Sequence, residues 1–381
     1  MKKVLMVGPV PPPEGGIASM MQDILHSELS QEYAFDAFAG PFTYPPGVAD
    51  PIRKNIARAM KYLGFYKRCK KVGYCFIHIH SPSHHFLGNA VYMLLAGLAG
   101  TKVLLHLHGN DWNFFYVNAS LFKRRLLRAG LRLASRIIVL QRVWQEQIEG
   151  LQVPARVSVI PNMAPPRITP DPILLQETRK WAGLEPDDFL VLMVGAGIMG
   201  RDKGFFDLVK AVPLIIREEE SVRFVLAGAE EQPGQMAKAK EIVAGENLDR
   251  WIRLVGNIDR ERVYLLMEIA SVFLLPSYIE GMPIGIIEAM RSGTVVIATP
   301  VGAIPDMIAD GISGMLIPVE DPHAIARAVI ELKQDDRFRQ DLAKGAERVF
   351  AERFDLSSGV AMLRGIYKEM EEMGRQGTAI R

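Results

Sequence analysis

The stretch Val272–Phe–Leu–Leu–Pro–Ser–Tyr–Ile–Glu280–Gly–Met–Pro283–Ile–Gly–Ile–Ile–Glu288–Ala–Met290 changes character in its middle. Val272–Leu275 is a short continuous apolar run, the pattern of a strand buried on both faces. Pro283 suits the first turn of a helix, where its missing N–H is no loss. Glu280 falls in the loop between the two. A helix that begins at the C-terminal end of a strand presents free N–H groups and the positive end of its dipole, a natural seat for a diphosphate. Glu288 follows Glu280 by about two helical turns, so both carboxylates can serve one site. Each carboxylate can accept both hydroxyls of a vicinal diol, as on ribose or a hexose.

The same alternation of apolar run and helical stretch extends along the whole chain. Upstream the runs are Val4–Val7, Ala34–Ala39, Phe76–His80, Val103–His106, Arg136–Leu140 and Arg156–Ile160. The second series is Phe189–Val194, Val222–Ala227, Ile252–Val255, Val272–Leu275, Val295–Ala298 and Met315–Ile317. Continuous apolar strands separated by helices form parallel sheets covered on both faces. Two series predict an α/β protein of two doubly wound parallel-sheet, Rossmann-like domains. Pro161–Pro172 reads PNMAPPRITPDP, too rich in proline for a helix or an inner strand, and marks the passage between them. The expected division is 1–163, a linker at 164–172, and 173–355. In open parallel sheets, ligands bind beyond the carboxyl ends of the strands.

A length of 381 residues accommodates two such cores, and 49% apolar with 23% charged residues is ordinary globular composition. Cys69 and Cys75, the only cysteines, fit no zinc or redox spacing and read as reduced thiols in a cytoplasmic protein. No signal peptide is expected, because Pro9 interrupts the first apolar run. Phe86–Gly100, the longest apolar stretch, is shorter than the roughly 20 residues that span a bilayer. The net charge of +2 conceals a division: residues 1–165 carry 19 Lys and Arg against 9 Asp and Glu, and the remainder 26 against 34. The first domain is therefore at +10 and the second at −8. A basic half suits an anionic partner, either a phosphate-bearing substrate or an acidic membrane surface, with solvated helix faces as the alternative. Phe122–Arg136 reads as a helix with a basic outer face, and Arg53, Lys54, Arg58, Lys61, Lys67, Arg68, Lys70 and Lys71 extend it. Peripheral, salt-sensitive contact without an inserted segment is expected on the cytoplasmic face of the inner membrane. No nucleic-acid motif accompanies the charge, so no nucleic-acid partner is expected.

Three further loops carry candidate chemistry. Gly200–Arg201–Asp202–Lys203–Gly204 follows the run ending at Val194, and either cation could reach a phosphate there. Gly195–Ala–Gly197–Ile–Met–Gly200 in that loop matches the dinucleotide fingerprint G-x-G-x-x-G and keeps an NAD-dependent oxidoreductase open as an alternative. Against it, charged residues follow where close helix packing is required, and no acid ends the next strand cleanly. Gly15 and Gly16, in Pro12–Pro–Glu–Gly–Gly–Ile–Ala–Ser19, let backbone N–H groups approach a phosphate or sugar at a helix start. His106–Leu–His108–Gly–Asn110–Asp–Trp112 places His108 nearest the end of its strand. His78, His80, His84 and His85 lie at a neighbouring strand end. They bring no acidic ligand and no ordered spacing, and the sequence has no Asp–x–Asp, so no metal is expected.

Glu280–x7–Glu288 with Ala289–Met290, Gly293, Val296–Thr299 and Gly302 resembles the retaining family 4 glycosyltransferases. Pro161–Asn162 and Val255–Gly256–Asn257 match further family positions, so the resemblance spans nearly the whole chain. It implies the GT-B fold, with an N-terminal acceptor domain, a C-terminal donor domain, and a last helix at about 356–381 packing back on the first domain. It also implies that Glu280 contacts the donor sugar near the reacting carbon and that Glu288 binds the ribose. Backbone amides from Met282 to Ile284 would hold sugar hydroxyls, with Gly281 and Pro283 in the same donor site, Asn257 at the base, and Gly15 and Gly16 meeting the donor from the other domain. Lys203 would stabilise the leaving diphosphate and His108 would lie close to the sugar. The family's usual arginine position holds Ala196, so Arg201 is its candidate substitute. The implied reaction transfers a hexosyl unit from a UDP- or GDP-sugar to a hydroxyl of a glycan or lipid-linked acceptor, with retention and without a metal. A sugar-nucleotide epimerase on the same fold is the alternative.

Overall fold

The computed structural model describes residues 1–9, 15–40, 50–109 and 112–378. The chain forms two compact units: Met1–Asn162 with Leu356–Arg381, and Met163–Asp355. Each is built on a six-stranded sheet.

The first sheet contains β1 (Lys2–Gly8), β2 (Tyr33–Ala39), β3 (Phe76–Pro82), β4 (Lys102–His108), β5 (Arg136–Val139) and β6 (Arg156–Val159). The second contains β7 (Phe189–Val194), β8 (Val222–Ala227), β9 (Ile252–Gly256), β10 (Val272–Leu275), β11 (Val295–Ala298) and β12 (Met315–Leu316). The strand orders are β2-β1-β3-β4-β5-β6 and β12-β11-β10-β7-β8-β9. All neighbours pair parallel. All twelve apolar runs are strands, and β5, β10 and β11 are buried along their whole lengths. In each sheet the order reverses once, between β1 and β3 and between β7 and β10. Such a switch point opens a crevice beyond the strand ends.

Local chemistry sets many of the helix boundaries. The side chains of Asp50, Asp171, Asp259 and Asp321 accept hydrogen bonds from the free N–H groups of the helices they precede, and Pro51, Pro172 and Pro322 occupy first turns. Gly73 and Gly293 end their helices at φ 66° and 72°, left-handed backbone that suits glycine.

The structure corrects the expected linker. Met163 and Ala164 are fully buried in the second unit, and the Ala164 N–H donates to the Phe354 carbonyl at 3.0 Å. Arg167 grips Glu268 at 2.7 Å and Glu347 at 3.2 Å. The proline-rich passage is therefore anchored to the second unit and is not a free tether. The last helix, Leu356–Thr378, belongs to the first unit and buries Val360, Leu363, Tyr367 and Met370. Arg364 ties it to Glu28 and Glu32, at 3.0 and 2.6 Å.

The first unit leaves apolar side chains exposed in rows on three helices. They are Ile52, Ile56, Met60 and Leu63 on Pro51–Val72; Val91, Leu94 and Leu98 on Phe86–Leu98; and Leu121, Phe122 and Leu126 on Leu121–Leu131. The first helix packs on the second and the second on the third. The expectation of a purely basic surface was incomplete. Arg124 is also not displayed as expected: its guanidinium turns back to the carbonyls of Tyr116, Val117 and Ala119. No described helix is long and apolar enough to cross a membrane.

Candidate functional site

The loops after β7 and β10, at the switch point of the second sheet, bring two of the expected residues into contact. Lys203 Nζ lies 2.6 Å from Glu280 Oε1, and Ser277 Oγ donates to the same oxygen at 2.8 Å. Glu280 is only 7% exposed, and these two donors stand where water would otherwise be.

The backbone holds the two loops together. The Tyr278 N–H donates to the Asp202 carbonyl at 2.8 Å, and the Tyr278 hydroxyl to Asp207 Oδ2 at 2.5 Å. Burial and that carboxylate push the Tyr278 hydroxyl up to about 12, so it remains a donor. The loop after β11 braces the other side, where the Ala303 N–H donates to the Gly281 carbonyl at 2.8 Å. Close approach demands glycine at two points. A Cβ on Gly302 (φ 60°) would stand 2.2 Å from the Glu280 carbonyl oxygen, and one on Gly204 (φ 74°) would stand 2.2 Å from that of Pro276.

Pro283 caps the helix Ile284–Ser292 without a side-chain acceptor, and the Ile286 N–H turns back to the Pro283 carbonyl at 3.3 Å. Gly281, Met282 and Ile284 are buried beside it. Glu288, on that helix, forms an ion pair with Arg260 at 3.4 Å. Arg260 and Arg291 both stack on Tyr264, at 5.1 and 3.8 Å from the ring centre. This cluster was not anticipated, because Arg260 lies 28 residues upstream of Glu288 and only the sheet order makes them neighbours. Ser277, two residues beyond β10, contributes to the site through its bond to Glu280, and nothing in the linear motif marks it. Asn257 is exposed after β9, next to Gly256 at φ 72°.

Arg201 does not join Lys203. Its side chain is 74% exposed and pairs with Glu320 at 3.3 Å. The short turn Arg201–Lys203 carries the two cations to different partners, Glu320 and Glu280. The dinucleotide fingerprint also fails on geometry: after Gly200 the chain makes this extra turn, and the helix begins only at Phe205. The third glycine therefore does not open the helix.

In the first unit, Gly15 caps the helix Gly16–Leu25, and both glycines are exposed; Pro12–Glu14, Asn110 and Asp111 lie outside the described residues. His108 is corrected. It is 1% exposed, its Nε2 lies 2.9 Å from His80 Nδ1, and Asn162 hydrogen-bonds its ring. Burial lowers His108 to about 3 against that bond. His78, His80 and His106 lie beside it, also buried, and together they form a group able to hold a metal ion. The linear spacing concealed that group, because its members alternate along β3 and β4 and meet only through strand pairing.

Two family models match consecutive parts of the chain: Glycosyltransferase Family 4 over residues 26–166 and Glycosyl transferases group 1 over residues 176–349. The chain belongs to the family 4 glycosyltransferases. A phosphatidyl-myo-inositol mannosyltransferase of Mycolicibacterium smegmatis is 30% identical over 45% of this chain and 43% of its own length. The chain thus matches less than half the length of that relative. An Escherichia coli UDP-Gal:alpha-D-GlcNAc-diphosphoundecaprenol alpha-1,3-galactosyltransferase is 27% identical over 83% of this chain and 81% of its own. The sucrose-phosphate synthase structure from Thermosynechococcus elongatus superimposes with a TM-score of 0.75 at 20% identity, over 97% of this chain and 99% of that one. This likeness establishes the GT-B fold of the family member.

Proposed function

We propose that this family 4 member transfers a hexosyl unit from a nucleotide-diphosphate sugar to a hydroxyl of a glycan or lipid-linked acceptor, retaining the anomeric configuration. The observation that carries the proposal is the Lys203–Glu280 pair at the β7/β10 switch point, beside the first turn of Ile284–Ser292. The E. coli relative's UDP-sugar donor and diphospho-lipid acceptor support the same classes here.

The ammonium of Lys203 has three donors, so it can keep Glu280 and also meet a phosphate oxygen. The bond from the anomeric carbon to the diphosphate breaks with its electron pair on the phosphate oxygen. The acceptor oxygen attacks from the same face, and its proton passes to that phosphate oxygen. Lys203 and the helix N-terminus stabilise the charge as it develops. Glu280 Oε2 orients a sugar hydroxyl, and Glu288 with Arg260 holds the ribose. No metal enters this step, since fixed positive groups take its place.

The acceptor reading extends to a surface. The exposed rows Ile52–Leu63, Val91–Leu98 and Leu121–Leu126, with Lys67, Lys70, Lys71, Arg125 and Arg132 among them, suit the headgroup level of an anionic bilayer. Partial insertion of the apolar rows would make part of the binding resistant to salt.

The test is turnover with a panel of UDP- and GDP-sugars, with and without lipid-linked acceptors, before and after brief EDTA treatment. Nucleotide release that requires an acceptor and survives chelation is the expected result. Interconversion of the sugar nucleotide without acceptor would favour an epimerase. Loss on chelation with recovery on Mn²⁺ would overturn the metal-free step.

A further inference from the structure

The buried histidines of the first unit form an unusual arrangement. His78 and His80 on β3 share a face with His106 on β4, because residues two apart on a strand point the same way and His80 pairs opposite His106. One nitrogen of each lies within 4.8 Å of the others. Their ring nitrogens divide into two sets. His78 Nδ1 bonds the Tyr367 hydroxyl at 2.8 Å, and His80 Nδ1 bonds His108 Nε2 at 2.9 Å. His78 Nε2, His80 Nε2 and both nitrogens of His106 have no hydrogen-bond partner.

Buried polar atoms are seldom left so. A neutral imidazole carries one N–H and one lone pair. If Nδ1–H of His78 and of His80 donates outward, the Nε2 lone pairs turn inward toward His106. This is the pattern of metal-binding histidines, whose far nitrogen is held by an outer partner that fixes ring and tautomer.

We propose that His78, His80 and His106 bind one divalent transition metal ion, Zn²⁺ by the chemistry of a three-imidazole set, with a water-derived fourth ligand. Tetrahedral Zn–N bonds of about 2.1 Å place ligand nitrogens about 3.4 Å apart. Nitrogens now within 4.8 Å of one another would have to approach to that spacing on binding, and His106, with no hydrogen bond on either nitrogen, is the ring least held. The ion's role is structural: through His78 and Tyr367 it fixes the last helix to the first sheet. It is independent of the donor chemistry, whose residues lie in the second unit. Enclosure at 0 to 1% exposure makes exchange slow, so the ion is acquired on folding and survives brief chelation.

The experiment is metal analysis of tag-free, full-length protein by plasma mass spectrometry. About one zinc per chain is expected after dialysis against EDTA, as for a single three-histidine site. Unfolding in chelator and refolding with Co²⁺ should give the visible absorption of a tetrahedral cobalt site, and refolding without metal should lower Tm. His106→Ala and, separately, the milder His78→Gln should lose the zinc, whereas the exposed pair His26→Ala/His323→Ala should retain it. Wild-type protein that is metal-free as isolated and takes up neither Zn²⁺ nor Co²⁺ on refolding would overturn the proposal and leave ordered water as the occupant. So would unchanged zinc content in His106→Ala.

Discussion

The two sheets of this protein are both six-stranded and parallel, with one reversal of order in each, yet the titratable groups they carry have opposite fates. At the end of the second sheet, Lys203 and Glu280 pair with one another, and Lys203 remains 23% exposed. In the first sheet, His78, His80, His106 and His108 are enclosed and driven neutral. The difference lies in register: the charged residues stand in loops beyond the strand ends, whereas the histidines stand within strands β3 and β4. Each sheet has one switch point, and position relative to the strand end decides whether a residue stands in a loop beside it or within the interior.

The largest expected effect falls on the charged end. Lys203→Ala should lower kcat by about 10²-fold or more, the scale of removing one preorganised electrostatic donor, with folding intact. Near-normal turnover would remove the leaving-group role. Glu288→Gln preserves shape but discards the charge opposite Arg260. Nucleotide affinity should fall roughly tenfold or more, the scale of a hydrogen bond to a charged group, and titration calorimetry reads it. Gly302→Ala should cost about 1–3 kcal/mol of stability in the second unit, from left-handed strain at the carbonyl of Glu280. Unfolding in urea measures this, and an unchanged midpoint would show that the loop is not braced there. Replacing Lys123, Arg125 and Arg128 by Gln should weaken binding to anionic vesicles at low salt while donor affinity stays the same. Equal sedimentation of wild type with zwitterionic and anionic vesicles would favour a soluble acceptor. The smallest effect belongs to Arg201→Ala, since an exposed pair with Glu320 contributes about 0–1 kcal/mol. A loss in kcat as large as that of Lys203→Ala would restore Arg201 as a phosphate ligand.

The strands were legible because inner parallel strands must be apolar throughout, and Val4–Val7 or Val295–Ala298 admit no other reading. The Glu280 loop was legible because Pro283 and the run before it place it between a strand and a helix. The Arg260–Glu288 pair was not, because the partners meet only through the β10-β7-β8-β9 order. His108 was misjudged for the reason that separates the two sheets: it is the last residue of β4, and its ring turns into the row below it. Pro161–Pro172 announced irregular backbone correctly, but proline content says nothing about what Ala164 and Arg167 will grip.

The central claim, that the second unit's switch point holds a nucleotide-sugar donor, is tested most directly by thermal shift with free nucleotides. UDP or GDP at 100 times its dissociation constant should stabilise the native state by about 2.7 kcal/mol, and the shift should be reduced in Lys203→Ala and Glu288→Gln. NAD and NADP should leave Tm unchanged. A shift with the nicotinamide cofactors and none with UDP or GDP would contradict the account and return the Gly195–Gly200 loop to the dinucleotide reading.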